Sequence, residues 1–95
     1  MPEVHFTIRW PDGGEERCYS PSTAIKAFVE AGQTYPLDDF LARARAGLNA
    51  ASDRVAAKYG FACTSAMAEL AHIETRAKPF LGSEGASVAC LAVEE

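Results

Sequence analysis

The sequence predicts an α+β domain in two layers, ordered β-β-α-α-α-β, with a three-stranded sheet and its helices packed on one face. Three observations carry that prediction. Val4, Phe6, Ile8 and Trp10 alternate with His5, Thr7 and Arg9, the period of two that marks a half-buried strand. Leu37, Phe40, Leu41, Ala44, Leu48, Ala51, Val55 and Tyr59 recur in steps of three and four, forming one apolar stripe of a long helix. Ser87–Val93 is short and apolar on both faces, the pattern of a buried or central strand.

The hairpin comes first. Pro11 presets φ for the first central position of a type I turn, Asp12 suits the second, and Gly13 takes positive φ without a Cβ penalty. This is a three-residue loop with a glycine bulge, followed by the strand Glu15–Tyr19. In that register Trp10 faces Gly14, Arg9 faces Glu15, Ile8 faces Glu16, Phe6 faces Cys18 and His5 faces Tyr19. Closing the loop at Trp10–Glu15 would slip the pairing by one residue and turn Tyr19 inward. The first register is favoured because Pro11 then needs no ladder N–H.

Ser20 as N-cap and Pro21 at the first helical position predict a short helix ending at Gly32, with Ala24, Ile25, Phe28 and Val29 on its apolar side. Gln33–Pro36 reads as a connector. The long helix has Asp38 and Asp39 in its first turn, Lys58 in its last and Gly60 as its stop. Asp39 and Arg43 are spaced to pair along it. Thr64 or Ser65 can cap a third helix that buries Met67, Leu70, Ile73 and Ala77, exposes a Glu74–Lys78 pair and closes at Pro79. Gly82–Gly85 is a loop before the last strand, which is expected to join the hairpin.

Length and composition bound the function. The 95 residues suit one domain, residues 1–95, large enough for a core without staples. A formal charge of −4 argues against a nucleic-acid partner, which calls for a basic patch. No apolar run approaches the roughly 18–20 residues of a membrane span. The N-terminal residues lack the pattern of a signal peptide, and three widely spaced cysteines make no disulfide framework. The expectation is a cytoplasmic protein.

Few residues carry chemistry. Cys63 precedes the third helix, where free N–H groups favour a thiolate, yet His72 is about 13 Å along that helix and cannot readily serve as its base. A small buried apolar residue is the competing reading of Cys63. The three cysteines, His5 and His72 show no C-x₂-C or H-x₃₋₅-H spacing, so no metal is expected, and no cofactor motif is present. Asp38/Asp39 and Glu15/Glu16 are explained by helix-start and turn electrostatics, and His72 reads as a helix-surface residue near Glu69. Gly13-Gly14 is a turn and not a phosphate loop. Trp10, Tyr19 and Tyr35 offer an aromatic contact surface or ordinary core residues. The helix-free sheet face would carry His5, Thr7, Arg9, Arg17 and Tyr19, the candidate interaction surface.

His5-Phe6-Thr7-Ile8-Arg9-Trp10-Pro11-Asp12-Gly13, Arg17-Cys18-Tyr19-Ser20-Pro21-Ser22 and Tyr59-Gly60-Phe61-Ala62-Cys63-Thr64-Ser65-Ala66 resemble a family of small bacterial proteins, the nitrogen starvation response family typified by a mycobacterial member. The similarity runs from about Met1 to Lys78. Ala31-Gly32 departs from the family's Pro-Gly at that place. The resemblance implies a cytosolic protein encoded with a nitrilase-type hydrolase, a radical SAM protein, an acetyltransferase, a flavin oxidoreductase and a glycosyltransferase-like protein. It carries over no catalytic residue. The leading expectation is a non-enzymatic accessory protein of nitrogen scavenging that binds an enzyme of that set. The alternatives are a small thiol enzyme or carrier using Cys63, with Cys18 as a second thiol, and a homodimer stacked through open sheet faces.

Overall fold

The structure, a computed structural model, describes residues 3–60 and 64–95. Strands β1 (Val4–Arg9) and β2 (Glu15–Ser20) form the expected hairpin, with His5 opposite Tyr19, Phe6 opposite Cys18 and Arg9 opposite Glu15. Trp10 N–H donates to the Gly14 carbonyl at 2.7 Å and Gly13 N–H to the Trp10 carbonyl at 2.9 Å, closing the three-residue loop. Gly13 holds φ at 89°, and Asp12 Oδ1 accepts the Gly14 N–H at 2.9 Å. Val4, Phe6, Ile8, Trp10 and Cys18 are buried, so the favoured register is the observed one.

Two expectations are corrected. Among the described residues the sheet has four strands, all antiparallel, in the order β2-β1-β4-β3, and there are two α-helices instead of three. The segment expected to be the first helix forms only a 3₁₀ turn, Thr23–Ala27, capped by Ser22 and not Ser20. It ends because the chain must return to the sheet. Gly32 N–H donates to the Cys90 carbonyl and Cys90 N–H to the Gln33 carbonyl, both at 2.8 Å. The connector then becomes β3 (Thr34–Pro36), paired with β4 (Ser87–Glu94). Three residues are too few to display a period of two, and Pro36 reads as a strand breaker except at an edge, which is where β3 lies.

Helix α1 spans Leu37–Tyr59, with Asp38 and Asp39 at its start and Gly60 in the left-handed region at φ 85°, its N–H on the Ala56 carbonyl. Leu37, Phe40, Ala44, Leu48 and Ala51 are buried along the predicted stripe. Tyr59 is 52% exposed because the helix runs about 35 Å and its last turn passes beyond the core. The stripe missed Gly47, which is buried against Ile25 of the 3₁₀ turn and Phe28 just after it. Helix α2 (Thr64–Ala77) buries Ala66, Leu70, Ile73 and Ala77, then tightens into a second 3₁₀ turn at Lys78–Phe80. Glu74 pairs across to Arg45 of α1 at 2.9 Å and not along its own helix to Lys78. Among the described residues no helix is long and apolar enough to cross a membrane.

Both helices share one core with the inward side chains of the sheet, among them Phe6, Ile8, Val88 and Cys90 against Phe40, Leu48, Leu70 and Ile73. Among the described residues no helix lies over the opposite sheet face. Gly47→Ala would gain about 1 kcal/mol of helix propensity but drive its Cβ into the buried Ile25 side chain, an overpacking of about 1–3 kcal/mol. Urea denaturation is expected to show a net loss of stability for Gly47→Ala. At Gly60, alanine is expected to cost about 1 kcal/mol through its positive φ alone.

Candidate interaction surface

The uncovered face can be read in rows across the strands. One row is Glu15 of β2, Arg9 of β1, Ala89 of β4 and Thr34 of β3. The next is Arg17, Thr7 and Ala92, and the third Tyr19, His5 and Glu94. All five residues expected on this surface therefore lie together. His5 and Tyr19 meet edge to face with ring centroids 5.8 Å apart, and Arg9 holds Glu15 at 2.9 Å. Of the two readings of the aromatic residues, the core reading holds for Trp10 and Tyr35. Trp10 is buried beneath Phe40 and Phe80, and Tyr35 is buried under the Arg43 guanidinium, so of the three Tyr19 is the one on this face, against His5.

The β4 contribution was not among the predicted site residues. Ile8 pairs with Cys90 and Thr7 with Ala92, so Leu91 is an extra residue, a β-bulge. Val88 and Cys90 point inward, whereas Ala89 and Ala92 are half-buried on the open face and Leu91 is 36% exposed. The two-sided apolarity of Ser87–Val93 was the sequence signal for this. That pattern indicates burial on both faces, and the outer face is the one with no helix over it among the described residues.

A second polar cluster lies at the turn end of the hairpin. Glu16 is its hub. Its Oε1 accepts the Trp10 indole N–H and the Arg76 Nε–H, each at 3.0 Å, and its Oε2 accepts His72 Nε2–H at 2.6 Å. Arg76 also lies 5.5 Å over the Trp10 ring and reaches Asp12 at 3.4 Å. The Gly14 N–H first, with Arg76 beside it, holds the Asp12 carboxyl below the usual carboxylate range. The sequence placed His72 near Glu69. Glu69 instead accepts the Tyr19 backbone N–H at 2.7 Å, tying α2 to the outer edge of β2. Three side chains of α2, Glu69, His72 and Arg76, thus fasten the hairpin, each bridging residues fifty or more positions apart.

A cleft of about 440 Å³ opens where α1 starts, between Pro36–Asp38, Phe80 and the loop Gly82–Ser87. Two carboxylates and two serine hydroxyls line it, without a histidine or thiol. Cys63 lies outside the described residues. Burial pushes the Cys18 thiol well up, with Glu69 and Glu16 adding to the effect, and burial raises Cys90 as well. Neither is disposed to be a thiolate. Among the described residues no three His, Cys, Asp or Glu side chains gather to hold a metal ion.

Glu16→Ala would strand the buried Trp10 N–H and the Arg76 charge, with an expected loss of about 1–3 kcal/mol in denaturant titration. His72→Ala, at an exposed position, is expected to stay within about 0.5 kcal/mol. For the thiols, the folded state keeps protons that the unfolded chain releases above about pH 8.5. Stability is therefore expected to be full below that pH and to fall as pH rises above it. Cys18→Ser should flatten the fall in a pH series of melting curves.

The family model of the nitrogen starvation-induced protein NitG matches residues 5–93. No curated protein and no solved structure matches the chain.

Proposed function

The chain belongs to the NitG family of nitrogen starvation-induced proteins, and we propose that it acts in the nitrogen starvation response as a non-catalytic accessory protein that docks on a protein partner through the uncovered sheet face. One observation carries this reading. β4 has the sequence of a strand buried on both faces, and the helices among the described residues cover only one of them. Exposing Ala89, Leu91 and Ala92 to water at the middle of a sheet wastes apolar surface that association would bury. The surrounding ring of His5, Tyr19, Arg9, Glu15 and Arg17 has the polar character of an interface rim.

The enzyme set implied by the family resemblance supplies the first partners to test: the nitrilase-type hydrolase, the radical SAM protein and the acetyltransferase. Purified full-length protein is expected to co-elute with one of them or to change its activity. Ala92→Arg, at a half-buried open-face position, should abolish this while leaving the melting curve close to that of the native chain. A native protein that stays monomeric, co-elutes with none of the set and alters none of their activities contradicts the reading.

A further inference from the structure

Resting on that docking reading, we infer that the partner is a different protein, one presenting a carboxylate to Arg17 and a shallow apolar recess to Leu91, with these two side chains as the anchors of the interface. Two independent features of the open face converge here. The first is charge. Elsewhere most cations are engaged: Lys26 with Glu95, Arg43 with Asp39, Arg45 with Glu74, Arg76 with Glu16 and Asp12, Arg54 with the Thr23 hydroxyl and Lys58 over the Tyr59 ring, whereas Lys78 makes no ion pair among the described residues. On the open face Arg9 is held by Glu15. Arg17, exposed and one row along, makes no ion pair or side-chain hydrogen bond among the described residues. A guanidinium presents a planar fork of donors that matches a carboxylate in two parallel bonds, and arginine is enriched among the residues that dominate binding energy.

The second feature is shape. Without the bulge, the alternation along β4 would put one small side chain opposite each open-face residue of β1. The extra residue adds Leu91, the large exposed aliphatic group of this face. It stands on the strand two places from that of Arg17, about 10 Å across the sheet. A partner reading both must combine an apolar recess with an acidic group at that spacing.

A second copy of the chain meets this poorly. The carboxylates in its open-face strand rows are Glu15, already engaged by Arg9, and Glu94 at the far end of β4. It also carries the same outward leucine where a recess is needed, so the charge pattern favours a different protein.

The test uses the full-length protein and the partner captured from nitrogen-limited cells, in native, Arg17→Glu, Leu91→Asp and Lys78→Glu forms. Lys78, an exposed cation on the second 3₁₀ turn, is the charge control. Native-like melting is checked for each variant first. Arg17→Glu and Leu91→Asp should each weaken binding by about tenfold or more, with Lys78→Glu near native. Replacing one partner carboxylate by lysine should restore binding to Arg17→Glu. If Leu91→Asp abolishes capture but Arg17→Glu binds as the native protein does, the carboxylate assignment is overturned and the docking reading stands. A homodimer as the sole assembly also overturns it, in favour of a second copy. A native protein that captures nothing and stays monomeric overturns the docking reading itself.

Discussion

The fold depends on one placement, the last strand at the centre of the sheet. β4 joins the N-terminal hairpin on one side and β3 on the other, so neither β1–β2 nor the three-residue β3 has to stand alone. A two-stranded hairpin is marginal in water, and a strand of three residues still more so. With β4 between them, the inward residues Val88 and Cys90 complete a continuous apolar surface on which α1 and α2 settle. The same placement obliges the segment after the first 3₁₀ turn to return to the sheet, as its hydrogen bonds to both backbone groups of Cys90 show.

Helix α2 performs a second task. β2 is an edge strand, whose outward backbone groups invite pairing with another chain. Glu69 occupies the Tyr19 N–H, while His72 and Arg76 grip Glu16, so the helix guards that edge as well as covering the core. The opposite edge is short and contains Pro36. With both edges blunted, the broad face without a helix among the described residues is the surface proposed for association. There Arg17 and the bulged Leu91 stand out from small or already paired neighbours.

Local chemistry made much of this legible in the sequence. Pro11-Asp12-Gly13 determined the hairpin register because only one loop length spares Pro11 a ladder bond while placing Gly13 at positive φ. The α1 stripe and its caps were readable because 23 residues display the helical period many times over. What escaped was set at long range. Thr34–Pro36 becomes a strand only because β4 is beside it, and the expected first helix gives way to the same pairing. Glu16 looked like a turn charge because its three partners include two that lie on α2. On the candidate surface, the five hairpin residues followed from alternation, whereas Leu91 required the β1–β4 register, which no local pattern specifies.

The central claim, that the uncovered face is buried against a partner during nitrogen starvation, is most directly tested by thiol accessibility at the bulge. Leu91→Cys in a Cys63→Ser background leaves Cys18 and Cys90 as the other thiols, both buried. Maleimide labelling of residue 91 should be rapid in the purified protein and strongly suppressed in nitrogen-starved cells, with suppression relieved by Arg17→Glu. Equal labelling in the two settings would contradict the claim.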